Sequence, residues 1–196
     1  PLKSSIAVLP FVNMSADPDQ EYFSDGLAEE LLNVLSRVPT LLVTSRTSAF
    51  SFKDKDVTIT EIAKALNVAH ILEGSVRKSG NRVRITAQLI DTEHDVHLWS
   101  ETWDRTLDDV FAIQDEIAER VVAKMTGSPS TPIPRSEKTV ADAYTLYLQA
   151  RHLRNHLETD NDIRKVIDMF EQVLEIDPVY LPVMTQLKLH THAANL

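Results

Sequence analysis

The chain has 196 residues, a net charge of −9, 43% hydrophobic and 25% charged residues, the balance of an ordinary globular protein. That length allows one large domain or a medium and a small one, and the acidity argues against the broad basic face that grips nucleic acid. There is no cysteine, which excludes disulfides, thiolate metal sites and cysteine nucleophiles. Up to Thr126 there are 13 basic against 20 acidic residues, and after it 7 against 9, so the acidity lies mostly in the first part. No apolar run approaches the roughly 18 residues of a spanning helix. The chain opens Pro1-Leu2-Lys3 without a signal pattern. It reads as a segment of a longer protein, whose membrane segment or catalytic domain would lie elsewhere.

Residues 5–11, SIAVLPF, are a short apolar run that predicts a strand buried on both faces. Residues 13–20 are polar, carry Pro18 and read as a loop. From Glu21 the period changes: Phe23, Leu27, Leu31, Leu32, Leu35 and Val38 recur at helical spacing, with Glu29 and Glu30 opposite. Gly26 inside that helix costs about 1 kcal/mol against Ala, which a close packing contact would explain, and Pro39 stops the helix. Residues 41–44 predict a second strand, and Ser45, Thr47 and Ser48 suit the cap of a short helical turn. Residues 58–67 open on a capping box, Thr58 with Glu61 three positions on, and present Ile59, Ile62, Ala63 and Leu66 as an apolar face.

Three strands follow. Residues 68–76 are β-rich, and Ser79-Gly80-Asn81 is a hairpin turn signal. Val83, Ile85, Ala87 and Leu89 alternate with Arg82, Arg84, Thr86 and Gln88, the period of a strand with one wet face. Residues 91–95 turn the chain and 96–103 form the last strand. Residues 108–125 carry Val110, Ile113, Ile117, Val121 and Val122 at helical spacing, with Asp108, Asp109, Asp115 and Glu116 towards the N-terminal half. Strand, helix, strand, helix, three strands, helix predicts an α/β domain over residues 1–126, a mixed sheet packed with helices.

Residues 127–138, beginning GSPSTPIP, read as a linker. Residues 139–196 show only helical periodicity, with helices near 141–153, 163–175 and from about 180. Asp160 or Asn161 is the expected N-cap of the middle one, and Asp177-Pro178 ends it.

Few residues offer chemistry. His94 and His97 flank Asp95 at a metal-like spacing, but no further ligand is in view and a polar turn is the simpler reading. Asp104, Asp108 and Asp109 cluster near a helix start, where carboxylates complement the dipole without doing acid–base work. Trp99 and Trp103 share a strand face and read as packing residues. The four glycines, Gly26, Gly74, Gly80 and Gly127, spell no phosphate loop. No catalytic residue, metal site or cofactor is therefore assigned. Two groups suit an anion or an acidic partner: Arg46 in the Ser45–Ser48 turn, and Arg77, Lys78, Arg82 and Arg84 around the hairpin.

The stretches SIAVLPFVNMS, EYFSDGLAEELLNVLSRV, LLVTSRTSAFSFK, IAKALNVAHILEGSVRKSGNRVRITAQLID, HLWSETWDR and FAIQDEIAERV closely resemble the TolB-like amino-terminal domain family, across about residues 5–125. In that family the domain lies between a signalling domain, an adenylate/guanylate cyclase or a winged-helix regulator of the CadC type, and tetratricopeptide repeats. Residues 139–196 are similar to the start of such a repeat array: Phe170 and Pro178 take the aromatic and proline positions of a repeat's second helix, with Val166 and Val173 at its small-residue positions. Leu146, Ala150 and Leu153 would contribute the first helix to a packing face. One repeat does not bury its own apolar face, so this face is expected to meet the first domain or another copy of the chain, a homodimer, or to stay exposed to protein partners.

The resemblance implies no catalytic residues in this chain, although the parent protein would carry a cyclase or DNA-binding domain outside it. The expected function is a non-catalytic regulatory and protein-interaction module of a cytoplasmic bacterial signalling protein, binding proteins and not nucleic acid. The alternative is a sensor of a small anionic ligand at Arg46 and the basic hairpin.

Overall fold

The computed structural model describes residues 1–128 and 132–193, with side chains of the last helix through residue 187. Residues 129–131 of the expected linker lie outside the described residues. The chain divides into two compact units, Pro1–Ser136 and Glu137–Leu196.

The first unit contains β1 (Ser5–Val8), β2 (Val12–Asn13), α1 (Glu21–Ser36), β3 (Leu42–Val43), α2 (Arg46–Phe50), α3 (Ile59–Leu66), β4 (His70–Ser79), β5 (Arg82–Asp91), β6 (Val96–Thr106) and α4 (Val110–Thr126). The sheet is mixed, in the order β3-β1-β4-β5-β6, with β2 also on β4. β1 runs parallel to β3 and β4, and β2 parallel to β4, while β4–β5–β6 is an antiparallel meander. This is the α/β architecture expected from the element order.

The single strand expected over residues 5–11 is two short ones. Val8 is opposite Leu72 and Val12 opposite Ser75, so β4 advances three residues while the neighbouring chain advances four. Pro10, which has no N–H for the ladder, falls in this bulge. Gly74 lies beside it on β4. A Cβ there would meet the Phe11 ring at 2.7 Å and crowd the Thr86 carbonyl oxygen, so glycine is what lets Phe11 pack down.

Alternation assigns the two sheet faces. Leu72 and Val76 on β4 stand opposite Leu89 and Ile85 on β5, and Ile85 opposite Trp103 on β6; all five are buried. Over this face lies α4, whose Glu116 accepts a bond from Trp103 Nε1 at 2.8 Å and ion-pairs with Arg105 at 2.7 Å. α4 in turn packs on α1. On the other face α3 covers only the β1–β4 end, packing Ile62 and Ala63 on Ala7, Leu9 and Ile71. Farther along, Glu73, Ser75, Arg77, Thr86, Gln88, Arg84 and Thr102 on that face stay half-exposed or exposed.

The helices start and stop where local chemistry says. The Thr58–Glu61 capping box opens α3, and Asn67, in the left-handed region at φ 54°, closes it. In the second unit, α5 (Ala141–Asn155), α6 (Asp160–Ile176) and α7 (Leu181–Ala193) follow one another. The N-cap of α6 is Thr159, not Asp160 or Asn161: Thr159 and Asp162 form a full capping box, which Asp160 does not supply. The core of this unit is Tyr144, Leu148, Val166, Phe170, Val173, Tyr180 and Val183, all buried. Tyr147 meets Tyr180 edge-on at 5.3 Å.

Candidate functional site

The open part of the sheet face ends in a cleft of about 730 Å³, within the size range of small-molecule sites. Its floor is made by alternation and register. Glu73 stands opposite Gln88, and Ser75 opposite Thr86, across β4 and β5, and all four side chains line the cleft. One edge is Val12, which register sets beside Ser75 past the bulge. The other is Phe52, Val57 and Ile59, from the segment between α2 and α3. The lining is thus hydrogen-bonding beneath and mixed on the sides, where Phe52, Val57 and Ile59 stand beside Lys53 and Asp54.

Two charged groups give the cleft its electrostatics. Burial pushes the Glu73 carboxyl above its ordinary range, partly offset by the charge of His97. At the rim, burial pulls the Lys53 ammonium down, but the Asp25 and Glu21 carboxylates at 2.6 and 2.5 Å outweigh it and hold the pKa above its ordinary value. Lys53 is therefore a neutralised cation, with Glu21 and the exposed Asp54 also on the lining.

The hairpin basic residues lie beyond the cleft, on the β4–β5 turn. Arg77 is directly opposite Arg84, and Arg84 opposite Asp104. Asp104 accepts from Arg82 at 2.5 Å and Arg84 at 2.6 Å, and these two bonds, Arg82 first, lower its pKa. Arg77 Nε donates to the Met14 carbonyl at 3.1 Å, and the Lys78 backbone N–H donates to Ser15 Oγ at 2.9 Å. Asp17, Gln20, Arg77 and Lys78 border a groove of about 600 Å³ there. Arg46 is separate from this group: at the first turn of α2 it ion-pairs with the buried Glu29 and stacks on Phe50 at 4.4 Å. The structure thus gathers Arg77, Arg82 and Arg84 on one face, with Lys78 next to them on the other face of β4, and leaves Arg46 apart.

Of the residues expected on a repeat packing face, Phe170 and Ala150 are fully buried inside the second unit, Leu146 and Leu153 are half-buried, and Pro178 is exposed just past α6. Exposed apolar side chains there include Val140, Ile163, Ile176, Val179 and Leu181. His94 pairs with Asp91 at 3.3 Å, and among the described residues no group of three or more potential ligands is placed to hold a metal.

Residues 2–120 match the family described as "HilA/YgeH-like transcriptional regulator, second domain". The chain belongs to that family. A curated relative, "Putative adenylate cyclase 3" of Rhizobium meliloti (strain 1021), is 42% identical over 184 residues, covering 91% of this chain and 31% of the relative. The chain therefore spans about a third of that protein. Among solved structures, TolB from Acinetobacter baumannii aligns with 66% of this chain and 30% of its own at 16% identity and a TM-score of 0.49. The LpoB C-terminal domain from Salmonella enterica aligns with 53% and 83% at 17% identity and 0.42. Among the described residues no helix is long and apolar enough to cross a membrane.

For this family member the cleft is what sequence reading missed. Glu73 carried the one available signal, an acid inside a β-rich run. Phe11 and Lys53 carried none, because only the parallel β1–β4 pairing and the return from α2 bring them to the same place.

Proposed function

We propose that the chain is a regulatory and protein-interaction module of a bacterial signalling protein, TolB-like in its first unit and opening a tetratricopeptide-type array in its second. The observation that carries this reading is that one module is shared by two kinds of output: its family is described as the second domain of a transcriptional regulator, and its relative is named as a cyclase. A part common to a DNA-directed and a nucleotide-cyclising protein performs neither chemistry; it couples or senses. The chain itself is then non-enzymatic, in a cytoplasmic parent, and its partners are proteins, a second copy of the chain among them. The contact surfaces in this reading are the exposed sheet face around Arg77, Arg82 and Arg84 and the exposed apolar residues of the helical unit.

The test is made in the full-length parent. Arg82→Glu with Arg84→Glu reverses the patch, and adding Asp104→Arg restores the local ion pairs with opposite sign, which protects the fold. Partner affinity and parent output are expected to change about tenfold or more in both variants, as for interfacial charges. Unchanged affinity and output would overturn the assignment of this face.

A second reading, a sensor of small anions, is favoured by one observation. Arg77 and Arg84 face each other directly across β4 and β5, a like-charge pairing that costs stability, and Asp104 pairs with Arg82 and Arg84. A phosphate-bearing metabolite would offset the Arg77–Arg84 repulsion. At about a hundred times its dissociation constant such a ligand adds about 2.7 kcal/mol, which a thermal-shift screen of cyclic nucleotides and sugar phosphates reads directly; no shift from any of them removes this reading.

A further inference from the structure

The cleft beside α3 differs from the hairpin in sign. Its floor presents one carboxylate, Glu73, among the neutral hydrogen-bonding side chains Ser75, Thr86 and Gln88, and Phe52, Val57 and Ile59 form the apolar part of its wall. Among the described residues Glu73 receives no hydrogen bond and no ion pair from the protein, and burial raises its pKa. A half-buried carboxylate without a partner is an unfavourable arrangement for an empty site. It becomes favourable when a cation enters and donates to it. Lys53 does not serve, since its ammonium is already shared by Glu21 and Asp25. The remaining charged lining groups, Glu21 and Asp54, are also acidic, so the slot repels anions.

We propose that this cleft binds a small organic cation, an ammonium or guanidinium group on an apolar frame, with Glu73 as its counter-charge and Phe52, Val57 and Ile59 against the frame. The volume accommodates a molecule of this kind with room for water. Ser75, Thr86 and Gln88 give the donor group further acceptors, which sets its orientation.

The test is calorimetric titration of the 196-residue chain with 2-phenylethylamine, tryptamine and agmatine, alongside phenylacetate and 2-phenylethanol as anionic and neutral counterparts. At least one amine is expected to bind saturably with a dissociation constant of about 1 mM or tighter, and the two counterparts are expected not to bind. Glu73→Gln keeps the shape and removes the charge, and is expected to weaken the amine by about tenfold or more. Gln88→Lys puts a cation directly opposite Glu73 and is expected to abolish binding; thermal melts show that both variants remain folded. Absence of binding by all three amines overturns the proposal. So does equal binding of phenylacetate or 2-phenylethanol, or an amine affinity unchanged in Glu73→Gln.

Discussion

At Glu73 the structure places an ionisable group where ionisation is resisted. Burial raises its pKa, so the folded chain holds the proton more tightly than the unfolded chain. The sign follows from linkage: the protonated form's contribution to stability is complete below the ordinary glutamate value and is lost as pH rises through the raised folded value. Glu73→Gln cannot lose it. Urea denaturation of both proteins at about pH 4 and about pH 7, either side of the ordinary range, is expected to show Glu73→Gln gaining stability relative to the parent at the higher pH. The comparison cancels the carboxylates that act the other way, such as Glu116, whose bond from Arg105 lowers its pKa and whose stabilisation fades as pH falls. A constant difference between the two proteins across this range would show that Glu73 is solvated like an ordinary surface acid.

The elements whose signals are local are the ones that could be read from the chain. β5 was legible because Val83, Ile85, Ala87 and Leu89 face the helices while Arg82, Arg84, Thr86 and Gln88 face out, and a strand with unlike faces writes a period of two. α3 was legible from its cap: Thr58 Oγ1 accepts from the Glu61 N–H at 3.3 Å, and the Thr58 N–H is met by Glu61 Oε2 at 2.8 Å. Thr58→Ala removes half of this exchange and is expected to cost about 1 kcal/mol, seen as a lower urea midpoint with an unchanged slope. A null effect would mean that α3 is held by the burial of Ile62 and Ala63 alone. What depends on register was not legible. Asp104 reads locally as a helix-start acid, yet β5–β6 pairing sets it against Arg82 and Arg84. That pairing also carries a bulge at Leu89/Ile90 that no single residue announces. The cleft is the same case on a larger scale: three segments far apart in sequence meet only once β1 and β2 have paired with β4.

Across the whole molecule, composition marks the break between the units but not where the first one ends its hydrogen bonding. The proline-rich stretch begins after Gly127, yet the Ser136 N–H donates to the carboxylate of Asp115 on α4 at 3.0 Å, and Arg135 lies 3.5 Å from the same carboxylate and 2.8 Å from Glu119. Asp115 is 6% exposed, so without these partners α4 carries a buried acid with less to satisfy it. Two chains distinguish the alternatives, residues 1–138 and residues 1–128. The longer one is expected to melt as a single cooperative transition, because it keeps every strand, α1–α4 and the Asp115 contacts. The shorter one loses the N–H donor and the guanidinium, at about 1–3 kcal/mol for a buried charged acceptor, which lowers the melting temperature by several degrees at this size. Equal melting temperatures would mean that the first unit is complete at α4 and that the contacts of Arg135 and Ser136 add nothing to it. A lower one for residues 1–128 makes the segment leading to the helical unit part of the first unit's own stability, so that a pull on that segment would be felt at the Asp115 carboxylate on α4, the helix that covers the buried face of the sheet.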